Sequence, residues 1–291
     1  MKSFVFIVNP VSGNGNRQAA IKDIKQSFEG LDYTLRLTEY AKHATEIAHE
    51  YRDAPNTVVC AVGGDGSLNE IARGLVNSNT PMGLIPVGSG NGLARHLKIP
   101  LTVKGAIEVI KKDREIDIDT GYMNNEAFIV TCGVGFDAEV SYNFAQRSTR
   151  GLLGYVKESI MLFPTYKAKK YKVTANGISK EREAFSISVA NASQYGNDAV
   201  IAYEASVTDG LIDLCIIKKY PKVFGPQIGI SLFMSNLHNS RFYRGLQTEH
   251  ILIESLNNET ECHAQIDGES IIMQYPIEIK VSPGSLKVIV P

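Results

Sequence analysis

Three glycine-rich segments, each directly after a predicted β-strand, constrain this chain more than any other feature. They are Asn9-Pro10-Val11-Ser12-Gly13-Asn14-Gly15-Asn16, Gly63-Gly64-Asp65-Gly66-Ser67 and Gly88-Ser89-Gly90-Asn91-Gly92. Because parallel strands end at one edge of a sheet, we expect the three loops to lie together there. Loops without bulky side chains expose backbone N–H groups that bind phosphate, helped by the positive ends of the helices that follow. The alternative is that glycine only supplies positive φ at these turns.

The two common nucleotide fingerprints are absent from these loops. No lysine followed by serine or threonine comes after Gly13, as a Walker loop requires. The third glycine of a dinucleotide fingerprint is replaced in every loop, by Gln18, Asn69 and Leu93. A Walker NTPase and an ordinary NAD dehydrogenase are therefore disfavoured.

The hydrophobic periodicity changes along the chain near residues 115–125. Strand-like segments occur before this point at 4–9, 33–38, 57–62 and 82–87, and helical patterns at 43–52, 68–76 and 102–111. Their alternation predicts an α/β domain with a wound parallel sheet over residues 1–120. The later short β-branched runs predict a β-rich, antiparallel, sandwich-like domain over residues 121–284. Two apolar segments, 152–163 and 223–237, are predicted helices in this domain.

Composition limits the class of protein. Apolar residues make up 44% of the chain and charged residues 21%, which is typical of a globular protein. Thirty basic and 31 acidic residues give no basic surplus for binding nucleic acid. The sequence contains no run of 18 or more apolar residues, so no membrane-spanning helix is predicted. The four scattered cysteines favour buried free thiols in the cytoplasm over disulfides or zinc.

The string Gly63-Gly64-Asp65-Gly66-Ser67-Leu68-Asn69-Glu70 resembles the nucleotide signature of the diacylglycerol kinase catalytic-domain family, which includes bacterial lipid kinases and sphingosine kinases. Further segments resemble the other motifs of this family, in family order: 8–13, 86–94, 133–138 with Arg150-Gly151, Asp209-Gly210, and Ile266-Asp267-Gly268-Glu269. The resemblance implies a nucleotide domain followed by a larger β-rich domain. It also implies that the final strand, within residues 285–291, returns to the first domain.

The resemblance implies roles for individual residues. The predicted ATP-binding residues are Asn9, Ser12, Gly64, Asp65, Gly66, Ser67, Glu70, Gly88, Ser89, Gly90, Asn91, Arg150 and Glu269. Glu70 is equally well explained as a favourable acid in the first turn of a helix. Arg150 is equally well explained as an exposed side chain.

Two aspartates are the predicted catalytic residues. Asp267 is the candidate general base for a lipid hydroxyl, and Asp65 is predicted to organise the nucleotide and metal; the alternative is that Asp65 accepts the substrate proton. Without the resemblance, Asp65 would be a loop-capping residue and Asp267 part of a hairpin turn. The resemblance also implies a structural Mg²⁺ site at Asp209 with the carbonyl oxygens of Ser206 and Leu211, and it implies that Glu269 belongs to a metal-linked network; oxygen ligands of this kind suit Mg²⁺.

The sequence therefore predicts an ATP- and Mg²⁺-dependent lipid kinase. Its γ-phosphoryl acceptor is expected to be a lipid hydroxyl, with diacylglycerol first and a sphingoid base second. An NAD kinase and a nucleotide-binding protein without catalysis are the alternatives. The chain is expected in the cytoplasm, with peripheral association at the membrane surface that carries its lipid substrate. No nucleic-acid partner is expected, and a homodimer is left open.

Overall fold

A computed structural model describes residues 2–10, 16–147 and 151–291 of the chain. The chain divides into two compact units. The first contains the chain up to Thr120 together with Pro283–Pro291, and the second is Gly121–Ser282. The chain therefore passes from the first unit to the second and back again.

The first unit is built on a parallel sheet. Its strands are β1 (Ser3–Val8), β2 (Asp32–Leu37), β3 (Thr57–Gly63) and β4 (Ser78–Pro86), in the order β4–β3–β1–β2. All three neighbouring pairs are parallel, and every residue of β3 is buried. The predicted wound parallel sheet is confirmed, and the carboxyl ends of β1, β3 and β4 lie along one edge.

Helices connect these strands. They are α1 (Asn16–Ser27), α2 (His43–Glu50), α3 (Asp65–Leu75), α4 (Gly92–His96) and α5 (Val103–Lys112). The side chain of Thr102 accepts a hydrogen bond from the backbone N–H of Gly105 and so caps α5. The sequence predicted that the third helix begins at residue 68, which is wrong. The helix begins at Asp65, so this aspartate lies in its first turn.

The second unit is rich in antiparallel strands. The strand β5 (Glu115–Met123) leads into it. The strands that follow are β6 (Glu126–Phe128), β7 (Thr131–Gly135), β8 (Lys169–Ala175), β9 (Ile178–Ala190), β10 (Ile212–Lys218), β11 (Tyr243–Thr248), β12 (His250–Ser255), β13 (Glu261–Ile266), β14 (Glu269–Gln274) and β15 (Ile277–Ile289). Neighbours pair in the order β14–β13–β7–β9–β8–β12–β15, and each of these pairings is antiparallel. The predicted β-rich domain is confirmed.

Three longer helices belong to the second unit: α6 (Phe136–Ala145), α7 (Leu152–Leu162) and α8 (Gly225–Phe233). The sequence predicted one helix over residues 223–237, which is wrong. The segment is a 3₁₀ turn at Lys222–Phe224, then α8, then a second 3₁₀ turn at Leu237–Asn239. Pro226 suits the start of α8 because it lacks an N–H group, and Ser235 takes a φ of 53° that ends it.

The strand β15 takes part in both units. Its first part, Ile277 to Lys280, pairs with β12, and Leu286 and Val288 pair with β4. The sequence predicted a turn at residues 282–284, whereas the strand continues to Ile289 with Gly284 at a φ of 56°. The N–H of Gly284 donates to a carboxylate oxygen of Asp119 over 2.8 Å, so this bend in the strand is stabilised by a side chain.

The four cysteines are buried and none forms a disulfide, as predicted. Burial raises the pKa of the Cys262 thiol to about 11, so this cysteine stays protonated near neutral pH. Within the ranges that the structure describes, no helix is long and apolar enough to cross a membrane.

Candidate active site

The carboxylate of Asp65 joins the second glycine loop to the third. Its two oxygens accept hydrogen bonds from the backbone N–H groups of Asn91 and Gly92, each over 2.7 Å. These donors lie at the start of α4, where N–H groups have no partner within the helix. Hydrogen bonds to a charged acceptor are stronger than neutral ones. The position of the third loop therefore depends on a side chain of the second.

Gly64 and Gly88 bring the backbones of the same two loops into contact. A Cβ atom built on Gly88 would lie only 2.6 Å from the Cα atom of Gly64. A Cβ atom built on Gly64 would lie 3.4 Å from the Cα atom of Gly88, which is near an ordinary contact distance. Glycine is thus required at position 88 by the closeness of the loops, although its φ is not positive.

Asn91 holds the third loop in a left-handed conformation with a φ of 55°. Its amide Nδ2 donates to the carbonyl oxygen of Gly88 over 2.8 Å. Its Oδ1 atom is buried and has no hydrogen-bond partner among the described residues. A buried acceptor without a partner is uncommon, and a ligand hydroxyl or an ordered water would satisfy it. The Nε atom of Arg95, on α4, donates to the carbonyl oxygen of Gly90 in the same loop over 2.9 Å, while Ser89 is exposed.

The first loop meets the second through Asn9. The Nδ2 atom of Asn9 donates to the Oγ atom of buried Ser67 over 2.9 Å. Gly66, beside Ser67, is exposed in the first turn of α3. Ser12, the other predicted ligand of this loop, lies outside the described residues. The structure therefore brings predicted residues from all three loops together at one edge of the sheet.

Glu70 faces a neighbouring helix. Its Oε1 atom accepts from the backbone N–H of Lys42 over 3.2 Å, at the start of α2. Its carbonyl oxygen accepts from the Oγ1 atom of Thr45 over 2.8 Å. These bonds hold α2 against α3. The predicted contact of Glu70 with nucleotide or metal stays a prediction.

In the second unit, the carboxylate of Asp267 binds a run of main-chain donors. Its Oδ1 atom accepts from the N–H groups of Val130 over 2.8 Å and of Ile129 and Thr131 over 3.2 Å. Its Oδ2 atom accepts a second hydrogen bond from the N–H group of Ile129, over 3.1 Å. Asp267 has a φ of 53°, in the turn between β13 and β14. The side chain therefore anchors the segment before β7 to this turn.

The residues predicted to hold a metal lie apart along the second unit's chain. Glu269 is exposed at the first position of β14. Asp209 is exposed, and its Oδ1 atom accepts from the N–H of Leu211 over 3.1 Å. Within the described ranges, no group of three or more His, Cys, Asp or Glu side chains is placed to hold a metal ion. Arg150, the last predicted nucleotide ligand, lies outside the described residues.

Asp137 forms a polar cluster that the sequence analysis did not assign. Its carboxylate accepts from the hydroxyls of Ser186 over 2.7 Å and of Ser188 and Tyr195 over 3.3 Å. Asp137 lies in the first turn of α6, and the two serines are on β9. The motif at 133–138 was a signal for this residue, but its hydroxyl partners are distant in sequence. Burial raises the pKa of the Asp137 carboxyl, against the hydrogen bonds that lower it.

This raised pKa gives a prediction for stability. Folded Asp137 binds a proton more readily than it does in the unfolded chain, so its contribution is fully present below pH ~3.9 and is lost as pH rises. Asp137→Asn removes this titration. The free energy of unfolding of the variant, relative to the wild type, should therefore rise as pH increases from 4 to 8, measured by urea unfolding.

The matched control is Asp53→Asn. The backbone N–H of Asn79 lowers the pKa of exposed Asp53, so its contribution is lost as pH falls instead. Above about pH 5 Asp53 is ionised in both the folded and the unfolded chain, so the difference between Asp53→Asn and the wild type should stay flat there while that of Asp137→Asn rises. A flat or falling difference for Asp137→Asn would contradict the assigned effect of burial.

Comparison with known proteins agrees with this architecture. The diacylglycerol kinase catalytic domain matches residues 3–123, and the YegS C-terminal NAD kinase beta sandwich-like domain matches residues 130–290. A putative diacylglycerol kinase of Bacillus anthracis, known as a crystal structure, superimposes with a TM-score of 0.79 at 23% identity. The superposition covers 100% of this chain and 97% of that one, and it shows that the two share a fold.

Two relatives are named diacylglycerol kinase. The protein of Staphylococcus aureus is 30% identical over 219 residues, which cover 73% of this chain and 70% of the relative. The protein of Bacillus subtilis is 29% identical over 226 residues, which cover 75% of each. The chain therefore belongs to the diacylglycerol kinase catalytic-domain family and is a lipid kinase.

Proposed function

We propose that this lipid kinase transfers the γ-phosphoryl group of Mg²⁺-bound ATP to a lipid hydroxyl, with diacylglycerol as its first substrate. The observation that carries the proposal is the pair of bonds from Asn91 and Gly92 to Asp65, which fixes two glycine loops at the carboxyl edge of a parallel sheet. The named activity of the two relatives supports diacylglycerol as the acceptor. A sphingoid base is the second acceptor to test.

The loops suit a polyphosphate ligand. Main-chain N–H groups can approach phosphate oxygens closely where no Cβ atom stands between them. The N-terminus of α3, an 11-residue helix, adds a favourable dipole for negative charge. The side chain of Asn9 orients the hydroxyl of Ser67. The nucleotide-binding roles proposed for this edge belong to Asn9, Ser12, Gly64, Asp65, Gly66, Ser67, Glu70, Gly88, Ser89, Gly90 and Asn91, with Arg150 and Glu269 added from the motifs.

The donor set around Asp209 fits Mg²⁺. The ion prefers oxygen ligands, and the proposed set is the carboxylate of Asp209 with the carbonyl oxygens of Ser206 and Leu211. Negative charge is concentrated here. Burial raises the pKa of Asp213 to about 6, and the nearby charges of Asp209 and Glu204 add to that effect. When bound here, Mg²⁺ would be a structural ion that offsets the negative charge of Asp209 and Glu204. Glu269 is proposed to orient this network from the start of β14.

Asp267 is proposed as the base that takes the proton of the lipid hydroxyl, and asparagine tests this directly. The amide oxygen of Asp267→Asn can occupy the Oδ1 position, which accepts from all three backbone donors, so the anchor is largely kept. The basic carboxylate is lost. We expect kcat to fall by about 10² to 10⁴ with little change in the KM for ATP.

Asp267→Ala is the companion variant, because it removes the anchor as well as the base. Thermal unfolding of both variants separates the two roles. If Asp267→Asn keeps wild-type kcat while Asp267→Ala loses both stability and activity, Asp267 is an anchor and not the base.

The acceptor determines where the enzyme works. Diacylglycerol resides in a bilayer, and the chain must reach its hydroxyl at the membrane surface. We propose that the chain is a cytoplasmic protein that associates with this surface peripherally.

Transfer of label from γ-labelled ATP tests the proposed function. Mixed micelles of diacylglycerol, monoacylglycerol, sphingosine or ceramide would be incubated with the full chain and Mg²⁺, beside an NAD reaction. Label should enter the organic extract with diacylglycerol and should not do so without Mg²⁺. Label in sphingosine alone would replace the proposed substrate. Formation of NADP without labelled lipid would overturn the proposed reaction.

A further inference from the structure

Helix α7 exposes apolar side chains on one face. Leu153, Ile160 and Met161 lie at helical spacing and are 53–86% exposed, with Lys157 on the same face. A surface helix of a globular protein normally turns its apolar face inward. Here the exposed stripe is itself apolar, and the acidic side chain of this helix, Glu158, is buried. Something other than the core of the second unit is therefore expected to cover this face.

Helix α8 has the same property. Val223 precedes it, Ile230 and Phe233 lie on it, and Met234 follows it, all 45–79% exposed. Residues 223–240 contain no Asp, Glu, Lys or Arg. Exposed helical segments without a charge are unusual for a surface in contact with water.

The two helices meet at one end. The Nζ atom of Lys222 donates to the carbonyl oxygen of Tyr166 over 2.6 Å, just after α7, and lies 4.5 Å from the centre of the Phe163 ring. A Cβ atom on Gly225, the first residue of α8, would lie 2.2 Å from that ring. Ile160 and Met161, near the end of α7, and Val223, just before α8, therefore lie close to this junction in the chain. We call the exposed residues of both helices the apolar face: Leu153, Ile160, Met161, Val223, Ile230, Phe233 and Met234.

Basic residues accompany the two helices, and the guanidinium of Arg241 lies 5.0 Å from the centre of the Phe224 ring, directly before α8. The segment 214–248 has five basic residues and no acidic one. Arg241 and Arg244, after α8, are exposed, and Lys167 follows α7 in an exposed position. Exposed apolar side chains accompanied by exposed basic ones match the boundary of a bilayer, where acyl chains lie beneath anionic headgroups. With 11 and 9 residues, α7 and α8 suit a position along this boundary.

We propose that the apolar face of α7 and α8 docks the second unit onto a bilayer that contains anionic lipid. Ile230, Phe233 and Met234 enter the acyl boundary from α8, and Leu153, Ile160 and Met161 enter from α7. Lys157, Lys167 and Arg244 meet the headgroups. This inference rests on the proposed peripheral association and names the surface that makes it, a surface that binds lipid without ATP or an acceptor.

Tryptophan fluorescence tests the proposal, because the chain contains no tryptophan. Phe233→Trp places a single probe on the apolar face, and Ile178→Trp places one at an exposed site on β9 as the matched control. Vesicles of phosphatidylcholine with phosphatidylglycerol should shift the emission of the first probe to the blue and leave the second unchanged. Added salt should weaken the response. Equal responses at the two probes, or none at Phe233→Trp, would overturn the proposal.

Vesicle flotation measures the affinity in the absence of ATP. Ile230→Ser with Met234→Ser should reduce binding about tenfold or more, whereas Ile178→Ser with Ile272→Ser, equally exposed on strands, should not. Wild-type transfer to a short-chain, water-soluble diacylglycerol separates a failure of docking from a failure of the proposed reaction. Sedimentation tests whether a second copy of the chain covers the face instead. A wild-type dimer that becomes monomeric in Ile230→Ser with Met234→Ser, together with no vesicle binding by the wild type, would assign the face to a second copy.

Discussion

Asp65→Asn is expected to lower kcat/KM for phosphoryl transfer by about a hundredfold. The amide can accept from only one of the two N–H groups that Asp65 binds, and its own NH₂ group then meets the other donor. Losing a hydrogen bond to a charged acceptor and leaving an N–H donor unpaired costs about 3 kcal/mol. If the loops are ordered only in the active state, this cost is added to the activation barrier, and the rate falls by roughly a factor of 10². Initial rates with saturating lipid at varied ATP measure the effect.

Asp53→Asn is the matched control for this loss. Asp53 also accepts a backbone hydrogen bond, from the N–H group of Asn79 over 2.8 Å. This bond lies at an exposed turn and does not involve a glycine loop. Its rate should stay within about twofold of the wild type, as expected for a surface substitution. If Asp65→Asn behaved in the same way, the bridge between the loops would not be needed for catalysis.

Gly88→Ala is expected to be the most damaging of the small substitutions. The added methyl group would lie 2.6 Å from the Cα atom of Gly64 and 3.1 Å from the Oδ1 atom of Asn91. Main-chain atoms cannot move away as a flexible side chain can, so the two loops must separate. Overpacking of this kind costs about 1–3 kcal/mol in the free energy of unfolding. Because the displaced backbone carries the proposed phosphate donors, the KM for ATP should rise by about tenfold or more.

Gly64→Ala probes the same contact from the other side. Its methyl group would lie 3.4 Å from the Cα atom of Gly88, and the φ of −89° at Gly64 suits alanine. Thermal unfolding and the KM for ATP should therefore change much less than in Gly88→Ala. A larger effect at Gly64 than at Gly88 would mean that the contact between the loops is not what makes glycine necessary.

The change of periodicity along the sequence was enough to predict both fold classes. Apolar segments that alternate with helical patterns require crossover connections, and these produce the parallel order β4–β3–β1–β2. The start of α3 was placed three residues late, because Gly64, Asp65 and Gly66 are typical of a loop in isolation. In the structure, Asp65 is instead the helix residue whose side chain holds the next loop.

The ends of α8 show why an apolar pattern is a weak guide to helix boundaries. Residues 223–237 remain apolar across Pro226 and Ser235, and only the backbone shows that the helix stops at Phe233. The turn predicted at Pro283 was wrong for a related reason. Proline and glycine are typical turn residues, but a strand tolerates them where no N–H is needed and a side chain satisfies the bend.

The sequence was enough to identify the important acidic residues of the candidate site, but not the groups that form hydrogen bonds with them. The motifs identified Asp65 and Asp267 as important residues. The donors that hold them are main-chain N–H groups of Asn91, Gly92 and the segment 129–131, and a main-chain donor leaves no mark on the residue type. The hydroxyls around Asp137 have side chains, but they lie about 50 to 60 residues away and match no short motif.

The double passage of the chain between the units has a consequence for biosynthesis. Residues 283–291 contribute the buried side chains of Leu286 and Val288 to the first unit, where they pair with β4. A ribosome releases this strand only after the whole second unit has been made. The nascent first unit must wait with one side of β4 uncovered, open to chaperones or to incorrect pairing. The unit that is translated first is therefore completed last.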